Sequence, residues 1–493
     1  MAYLSDEVLG NLPKDVVVPA YDRSKITPGI VHFGVGGFHR SHQAFTIDNL
    51  LAQGLAQDWG IIGVGLLKSD ERMLAALEPQ NSLYTLVTKF PNGQMNYRVI
   101  GSIISYLYAP QDPQAILAIL VNPAIRIVSL TITEGGYCFD PVTGEFDPTA
   151  PSVCVDLQGA DRPVSAFGFI VEGLRLRREL GISPFTVQSC DNIQSNGDVA
   201  KKMITEFAKF RNLELAEWIV SNVAFPNAMV DRITPATSPE DILRTSVKLG
   251  VEDRWPVSCE PFFQWVIEDN FPSGRPPFEE ANVQMVNHVA PYELMKLRLL
   301  NASHQGLCFF SRLIGYNYVH EAMEDPLIVE LLRRYMDEEA TPTLLPVPGV
   351  DLAEYKAQLI ERFSNRFILD TTARLAAESS DRIPKFLLPV VHELLKANLS
   401  VRLSAAIVAS WARYAEAIDE QGKTIEVIDP LKEKLIAIAK TQRVKPTAFI
   451  ENERIFALIA QDPRFSAPYL LALKSLHSDG AQKTIRNILL DQY

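Results

Sequence analysis

The first half of this 493-residue chain alternates apolar, strand-like runs with stretches of helical spacing, and this pattern constrains the fold more than any other feature. The apolar run IVHFGVG (30–36) precedes a helical stretch (39–54), and a second apolar run, WGIIGVGLL (59–67), follows it. Strands that alternate with helices pair in parallel and form a doubly wound α/β sheet. The same pattern predicts further strands at 125–133 and 185–192 and further helices at 115–122 and 167–181.

The second half of the chain has a different character. From about Tyr292 onward, apolar residues recur mainly at helical spacing. A hydrophobic content of 47% is enough to bury large cores without disulfides. We therefore expect an α/β domain with a doubly wound sheet at 1–285 and a mainly α-helical domain at 286–493.

Charge and cysteine content exclude several classes of protein. The 47 Lys and Arg against 59 Asp and Glu give a net charge of −12, which argues against nucleic-acid binding and against adsorption to anionic membranes. The 5 cysteines are scattered without CxxC spacing, so neither a disulfide framework nor a thiolate zinc site is expected. The N-terminus lacks the pattern of a signal peptide, and no apolar run is long enough for a membrane span. A soluble cytoplasmic protein is the simplest interpretation.

A glycine-rich turn lies where the first predicted strand meets the first predicted helix. In a Rossmann-like domain such glycines allow a tight turn and the approach of backbone N–H groups to a pyrophosphate. Position 39, where GxGxxG has its third glycine, is a histidine, so a turn without a ligand stays an alternative. The candidate cofactor-binding residues of the turn are Gly34, Gly36, Gly37, Phe38, His39 and Arg40.

An acidic residue after the second strand of such a domain binds the adenosine ribose hydroxyls and disfavours a 2′-phosphate. Asp70 follows the strand-like run 59–67 and is the candidate for this role. It favours NAD over NADP, although Lys68 and Arg72 are close to it and an ordinary solvated turn is the alternative. NAD is therefore the expected cofactor.

The stretch KLRLLNASH carries the most informative set of polar residues. At about 100° per residue, Glu293, Lys296, Leu300 and His304 share one side of a helix, with Asn301 at its margin. Polar side chains on one face of an apolar helix are costly to bury without a purpose. A satisfied polar patch is the alternative. Substrate sites are common at domain interfaces, and this helix begins near the predicted boundary.

These residue types suit the oxidation of an alcohol. A lysine with a lowered pKa can remove the hydroxyl proton, and asparagine amides can stabilise the charge that develops on the oxygen. Asn301 is one candidate for such an amide. Asn192, at the end of the strand-like run FTVQSC, is another, because ligands bind at the carboxyl edge of a parallel sheet. The 8 histidines show no zinc-ligand spacing, so no metal is expected.

The chain resembles the polyol-specific long-chain dehydrogenase family, and within it the mannitol 2-dehydrogenase branch. The resemblance implies a metal-independent, NAD-dependent enzyme that interconverts D-mannitol and D-fructose, with a polyol or keto-sugar as its small-molecule partner. It covers about residues 30–390, and KxxxxNxxH together with GxGxFHR is fairly specific. The matching segments are HFGVGGFHRSHQA, RIVSLTITEGGYC, SCDN, FPNAMVDRITP, CEPFFQWVIED, KLRLLNASH, PVPGVDL and IPKF.

The resemblance also implies roles for individual residues. Lys296 matches the general base, Asn192 and Asn301 match the asparagines that polarise the reacting oxygen, and His304 matches a substrate-binding histidine. Glu134 is expected on the nicotinamide side, and Glu293 is hypothesised to relay a proton next to Lys296. The expected substrate contacts are Asp231, Arg374 and Arg382, the last of which replaces the usual lysine.

Three alternatives stay open. A relative in the same family could oxidise another polyol, such as D-arabinitol or sorbitol. A hexuronate reductase would need positive charge near a carboxylate, which Arg374, Arg382 and Lys385 could supply. A non-catalytic NAD-binding scaffold is disfavoured, because the lysine and both asparagines are present. The chain is expected to be a monomer or a homodimer.

Overall fold

A computed structural model of the protein describes residues 2–139, 144–159 and 161–491. The chain forms two compact units, Met1–Ala290 and Pro291–Tyr493. All strands of the described residues belong to the first unit. They are β1 (Val16–Val17), β2 (Pro28–Phe33), β3 (Gly60–Gly65), β4 (Tyr84–Lys89), β5 (Met95–Ile100), β6 (Ile103–Tyr108), β7 (Ile127–Leu130), β8 (Thr186–Ser189), β9 (Ala228–Asp231), β10 (Val257–Cys259), β11 (Gln264–Glu268) and β12 (Gln284–Val286).

Helices alternate with these strands along the first unit. The expected single helix at 39–54 is broken at His42, whose φ and ψ of −120° and −87° are not helical. The α-helices are α1 (Gly37–Ser41), α2 (Gln43–Ala52), α3 (Glu71–Leu77), α4 (Pro113–Leu120), α5 (Pro151–Gln158), α6 (Ala166–Leu180), α7 (Asn196–Arg211), α8 (Leu213–Asn222) and α9 (Pro239–Leu249).

Among the described residues, five strands form an all-parallel sheet in the order β6-β3-β2-β7-β8. The strand order reverses beside β2, since β3 follows it in the chain on one side and β7 lies on the other. In such doubly wound sheets ligands bind at the carboxyl ends of the strands at this reversal. The predicted Rossmann-like fold is confirmed, and the reversal lies at the end of the glycine-bearing strand.

The core explains why β2 is a continuous apolar run. Val31 and Phe33 pack with Phe169 in one hydrophobic cluster, whereas Ile30 packs with Ile47 in a second cluster. Successive side chains of a strand point to opposite faces, so both faces of β2 are buried. This double burial fixes the strand and the turn that follows it.

The other strands of the first unit that the structure describes form two smaller sheets. One has the order β1-β5-β4-β10, and the other has the order β12-β11-β9. In the second of these, β9 runs antiparallel to β11, and Asp231 is in register with Gln264. Asp231 is therefore held outside the five-stranded sheet.

The second unit is mainly α-helical, as the sequence predicts. Two π-helical turns, Lys296–Asn301 and Tyr335–Ala340, interrupt or extend its helices. In the described part of the chain, no helix is both long and apolar enough to cross a bilayer. The helices are α10 (Ala290–Met295), α11 (Ala302–Ile314), α12 (Val319–Met323), α13 (Pro326–Arg334), α14 (Leu352–Phe363), α15 (Thr372–Ala376), α16 (Ser379–Phe386), α17 (Leu388–Lys396), α18 (Arg402–Tyr414), α19 (Lys432–Ala439), α20 (Glu453–Phe456), α21 (Pro463–Ser478) and α22 (Ala481–Leu489).

Candidate active site

The glycine turn begins directly after β2. Gly34 has a φ of +92°, and a Cβ atom there would lie 2.2 Å from the backbone oxygen of Thr131. Its N–H donates to the carbonyl of Val64 at 3.1 Å. Both the backbone conformation and the space therefore require glycine at this position.

The next two glycines have different surroundings. A Cβ at Gly36 would meet only the carbonyl oxygen of Gly34, at 3.9 Å, and one at Gly37 would make ordinary contacts from 3.5 Å outward. The main chain at Gly36 is thus open to the approach of another group at the carboxyl edge of the sheet. This space fits the close approach of a pyrophosphate that dinucleotide binding requires.

His39 and Arg40 turn into the core of the first unit. The His39 ring stacks on His32 of β2 with 3.4 Å between ring centroids, and burial lowers the pKa of His39 well below its ordinary value. The Arg40 guanidinium donates to the carbonyl of Trp255 and lies over the Tyr84 ring at 5.1 Å. These contacts fix the glycine turn against the core of the first unit.

Asp70 lies just past the end of β3, in a short 3₁₀ turn at Lys68–Asp70. Its Oδ2 accepts the N–H groups of Leu66 and Leu67, each at 2.9 Å. The nearby Arg72 guanidinium stacks over the Trp255 ring at 4.7 Å. The carboxylate is therefore held at the carboxyl end of β3, while Arg72 is engaged with an aromatic ring.

The ends of β7 and β8 carry two more predicted site residues. Glu134 opens a 3₁₀ turn after β7 and is partly buried. Asn192 lies shortly after β8 and is exposed. Because β7 and β8 are parallel neighbours, both residues come after the carboxyl edge of the sheet, as does the glycine turn. Asp231, the last residue of β9, is 5% exposed.

In the second unit, the stretch that carries Lys296 and Asn301 is not the regular helix that the sequence predicts. Lys296–Asn301 forms a π-helical turn between α10 and α11. In an α-helix Asn301 would lie about 140° from Lys296, whereas i→i+5 hydrogen bonding draws residues five apart toward one face. Lys296 and Asn301 are each 7% exposed, as is Glu293. Isolated π turns are frequent at functional sites.

Other contacts fix the surroundings of this turn. The His304 ring lies 4.6 Å, centroid to centroid, from the Phe363 ring. The Tyr292 hydroxyl donates to the Pro348 carbonyl at 2.8 Å. The Arg298 guanidinium donates to the Thr343 carbonyl. The Pro-rich loop at 341–349 is thereby tied to the helix that carries Lys296.

The three predicted cations of α15 and α16 all have carboxylate partners nearby. Asp370 accepts two hydrogen bonds from Arg374, at 2.6 and 2.5 Å. Arg382 lies 3.3 Å from Glu378, and Lys385 lies 2.7 Å from Asp381. The Arg382 guanidinium also donates to the carbonyls of Arg374 and Leu375 at 3.1 and 3.2 Å. Each positive charge is therefore balanced within its own segment.

Sequence reasoning did not single out two buried polar residues beside Asn192. Asp191 is 6% exposed and Asn196 is fully buried. Burial raises the pKa of Asp191 above its ordinary value, although hydrogen bonds from Thr133 and Tyr137 oppose that shift. The segment SCDN indicated a strand end, but nothing local marks a carboxylate whose partners are distant in sequence.

Among the described residues, no group of three or more His, Cys, Asp or Glu could hold a metal ion.

Comparison with known families gives two matches that span most of the chain. The description "Mannitol dehydrogenase Rossmann domain" matches residues 28–280, and "Mannitol dehydrogenase C-terminal domain" matches residues 288–477. The chain belongs to the mannitol dehydrogenase family. It is therefore an oxidoreductase of the polyol dehydrogenase class, and the family resemblance inferred from the sequence is confirmed.

Individual relatives agree with this assignment. A mannitol 2-dehydrogenase of Aspergillus clavatus is 43% identical over 477 residues, which cover 95% of each chain. A mannitol dehydrogenase of Saccharomyces cerevisiae is 41% identical over 489 residues, covering 99% of this chain and 97% of the relative.

Two solved structures share the whole architecture. A ternary complex of Pseudomonas fluorescens mannitol 2-dehydrogenase with NAD and D-mannitol aligns with a TM-score of 0.91 at 43% identity and covers 99% of both chains. A substrate-free D-sorbitol dehydrogenase aligns with a TM-score of 0.90 at 39% identity, covering 98% of this chain and 100% of that one. NAD, the cofactor expected from the sequence, is the one bound in the first of these relatives.

Proposed function

We propose that this member of the mannitol dehydrogenase family oxidises D-mannitol at C2 to D-fructose with NAD, catalyses the reverse reduction, and uses no metal. One observation carries the proposal: a buried lysine and a buried asparagine begin and end a single π-helical turn. The chain that holds them is 43% identical, over almost its full length, to a mannitol 2-dehydrogenase that binds NAD and D-mannitol.

The first unit is proposed to hold NAD. The open main chain at Gly36 and the helix start at Gly37 fit the pyrophosphate, and the fixed Asp70 carboxylate fits the adenosine ribose hydroxyls. When bound, NAD supplies an acceptor for the hydride from C2. Glu134, after β7, is proposed to lie on the nicotinamide side.

Lys296 is proposed to take the proton of the C2 hydroxyl. A lysine acts as a base in its neutral form. Asn301 and Asn192 are proposed to donate hydrogen bonds to the reacting oxygen, which becomes a carbonyl as the C–H bond breaks. Glu293, three residues before Lys296, is proposed to pass the proton onward to solvent.

The charges of α15 and α16 favour a neutral substrate. A hexuronate carboxylate needs a local excess of positive charge, but Arg374, Arg382 and Lys385 are matched by carboxylates in their own segments. With His304 and Asp231, these side chains are proposed to bind polyol hydroxyls. Because a D-sorbitol dehydrogenase has the same architecture, sorbitol is the second candidate substrate.

The Lys296→Ala variant tests the proposed base. We expect kcat for mannitol oxidation at neutral pH to fall about 10²–10⁴-fold, because general-base catalysis contributes about that much. The dissociation constant for NADH should stay within about twofold, since Lys296 does not belong to the dinucleotide-binding unit. The matched control is Lys356→Ala, which removes a lysine paired with Asp337 in the same unit and should leave kcat unchanged. Near-normal turnover of Lys296→Ala would contradict the mechanism.

A substrate panel tests the proposed reaction. The oxidation of D-mannitol, sorbitol and D-arabinitol is assayed with NAD and with NADP. The reduction of fructose, tagaturonate and fructuronate is assayed with NADH. We expect the highest kcat/KM for mannitol and fructose with the non-phosphorylated cofactor. A higher kcat/KM for a hexuronate would show that the charge argument is wrong, and preference for sorbitol would replace mannitol by the second candidate.

A further inference from the structure

A buried carboxylate beside Asn192 joins two loops at the carboxyl edge of the five-stranded sheet. The Oδ1 of Asp191 accepts the N–H of Thr133 at 2.8 Å. Its Oδ2 accepts the N–H of Ile132 at 3.2 Å and the hydroxyl of Tyr137 at 2.9 Å. The Tyr137 hydroxyl is also 2.6 Å from the Ser189 hydroxyl at the end of β8. One side chain therefore links the segment after β7 to the segment after β8.

The segment after β7 needs such a link. Thr133 has a φ of +59° and a ψ of 172°, a region that glycine adopts far more readily than a β-branched residue. Residues in this region persist only where their surroundings fix them. The hydrogen bond from the Thr133 N–H to Asp191 is one such restraint, and Glu134 follows immediately.

The main chain of Asp191 is fixed on its other side by Asn196. The Asn196 side-chain amide donates to the carbonyls of Asp191 and Ala228 at 2.9 and 2.8 Å. Its oxygen accepts the N–H of Ala228 at 2.9 Å. This ties the segment that contains Asn192 to β9, the strand that ends at Asp231. Asn192 thus lies in a segment held from two directions.

A carboxylate is the required group at position 191. Its three partners are all donors, two N–H groups and one O–H group, and a carboxylate accepts through both oxygens. An asparagine accepts through one oxygen only and would direct its NH₂ group at a donor. Replacing Asp191 by asparagine therefore removes at least one bond and moves the loops relative to each other while changing little volume.

We propose that Asp191 is a positioning residue, which sets Asn192 against the Thr131–Glu134 segment and is needed for turnover rather than for NAD binding. The inference rests on the proposed role of Asn192 at the reacting oxygen. A displacement of about 1 Å at a catalytic group can cost about 10²-fold in rate. The effect is therefore expected in kcat, and it should disappear when the Asn192 amide is absent.

The test is a double-mutant cycle on the full-length enzyme with NAD and mannitol. Asp191→Asn should lower kcat about 10–100-fold, with the NADH dissociation constant within about twofold of wild type. Asn192→Ala should lower kcat about 10²–10³-fold, and Asp191→Asn/Asn192→Ala should be no slower than Asn192→Ala. If Asp191→Asn does not fold, Tyr137→Phe replaces it in the cycle, with a smaller loss of kcat and the same non-additivity.

Asp156→Asn is the matched control. Asp156 is 1% exposed and accepts the N–H groups of Val164 and Ser165, at 2.6 and 3.1 Å, and the Ser165 hydroxyl. This variant should lower Tm about as much as Asp191→Asn but keep the wild-type kcat. Wild-type kcat for Asp191→Asn, or additive losses in the cycle, would overturn the positioning role. Wild-type kcat for Asn192→Ala would instead overturn the proposed role of Asn192, on which the inference rests.

Discussion

At the scale of single residues, the first two glycines of the turn have separate tasks. Gly34 is required by its own chain, because its φ of +92° and the Thr131 oxygen leave no room for a Cβ atom. Gly36 has a φ of −103°, and neither its backbone conformation nor its neighbouring atoms exclude a side chain. Folding therefore does not require glycine at position 36, and we attribute the missing side chain to the pyrophosphate that we propose binds there.

This difference predicts opposite results for two conservative substitutions. Gly34→Ala should destabilise the protein by at least about 1–3 kcal/mol, because the left-handed backbone is strained by any side chain. Gly36→Ala should change stability by less than about 0.5 kcal/mol but weaken NADH binding about tenfold. Urea unfolding and NADH fluorescence titration measure the two effects. A wild-type NADH affinity for Gly36→Ala would show that the pyrophosphate lies elsewhere.

At the scale of elements, the π-helical turn is the feature that helical periodicity could not predict. The residues of KLRLLN have no proline or glycine that would mark an irregular turn, and each has an acceptable place in an α-helix. The turn contains one residue more than an α-helical turn, so the phase of Asn301 relative to Lys296 depends on it.

Inserting one residue into this turn should place Asn301 six residues after Lys296, about 120° around an α-helix, and so move it away from Lys296. We expect the insertion of one alanine after Leu299 to lower kcat at least about 100-fold while the second unit stays helical by circular dichroism. The control is Leu299→Ala, which removes a fully buried side chain, costs about 2–5 kcal/mol of stability and keeps the length of the turn. Its kcat should stay within about threefold of wild type. Equal losses of kcat in both variants would mean that the π turn has no special role.

At the scale of the whole molecule, buried carboxyl groups shape the pH dependence of stability. Burial raises the pKa of Asp156, Asp191, Asp253 and Glu339 above their ordinary values. Burial raises the pKa of Glu339 to about 7. It accepts the N–H groups of Leu403 and Ser404 at 2.6 and 2.8 Å and so caps the start of α18.

For Glu339 the sign of the effect follows from proton binding. The folded state holds a proton that the unfolded state releases between pH 4.5 and about 7, so this contribution to stability is present below pH 4.5 and is lost as the pH rises through about 7. The difference between these pKa values corresponds to about 3 kcal/mol.

We therefore expect Glu339→Gln to show a flatter dependence of the urea midpoint on pH than wild type between about pH 5 and 8. The control is Glu338→Gln, which changes an exposed neighbour paired with Arg334 and should keep the wild-type slope. Parallel curves for wild type and Glu339→Gln would show that Glu339 does not titrate in this range.

The sequence by itself determined the fold class, the family and the polyol dehydrogenase activity that follows from it. Periodicity, the glycine turn and KxxxxNxxH are patterns among residues close in the chain, so they can be interpreted without coordinates. It predicted the parallel sheet through the strands of 30–36, 59–67, 125–133 and 185–192, but β6 at the sheet edge was not predicted.

Only the tertiary structure decided how the site is supported. The Asp191 carboxylate accepts the main-chain N–H of Thr133, which is 58 residues away in the sequence. His39 stands where GxGxxG has its third glycine, and its ring stacks on the His32 ring of β2. The cationic side chains of α15 and α16 are paired with carboxylates, and the sequence alone could not assign these partners. Hydrogen bonds, ring stacking and ion pairs of this kind depend on distances between atoms of the folded chain. The order of residues in the sequence does not contain these distances.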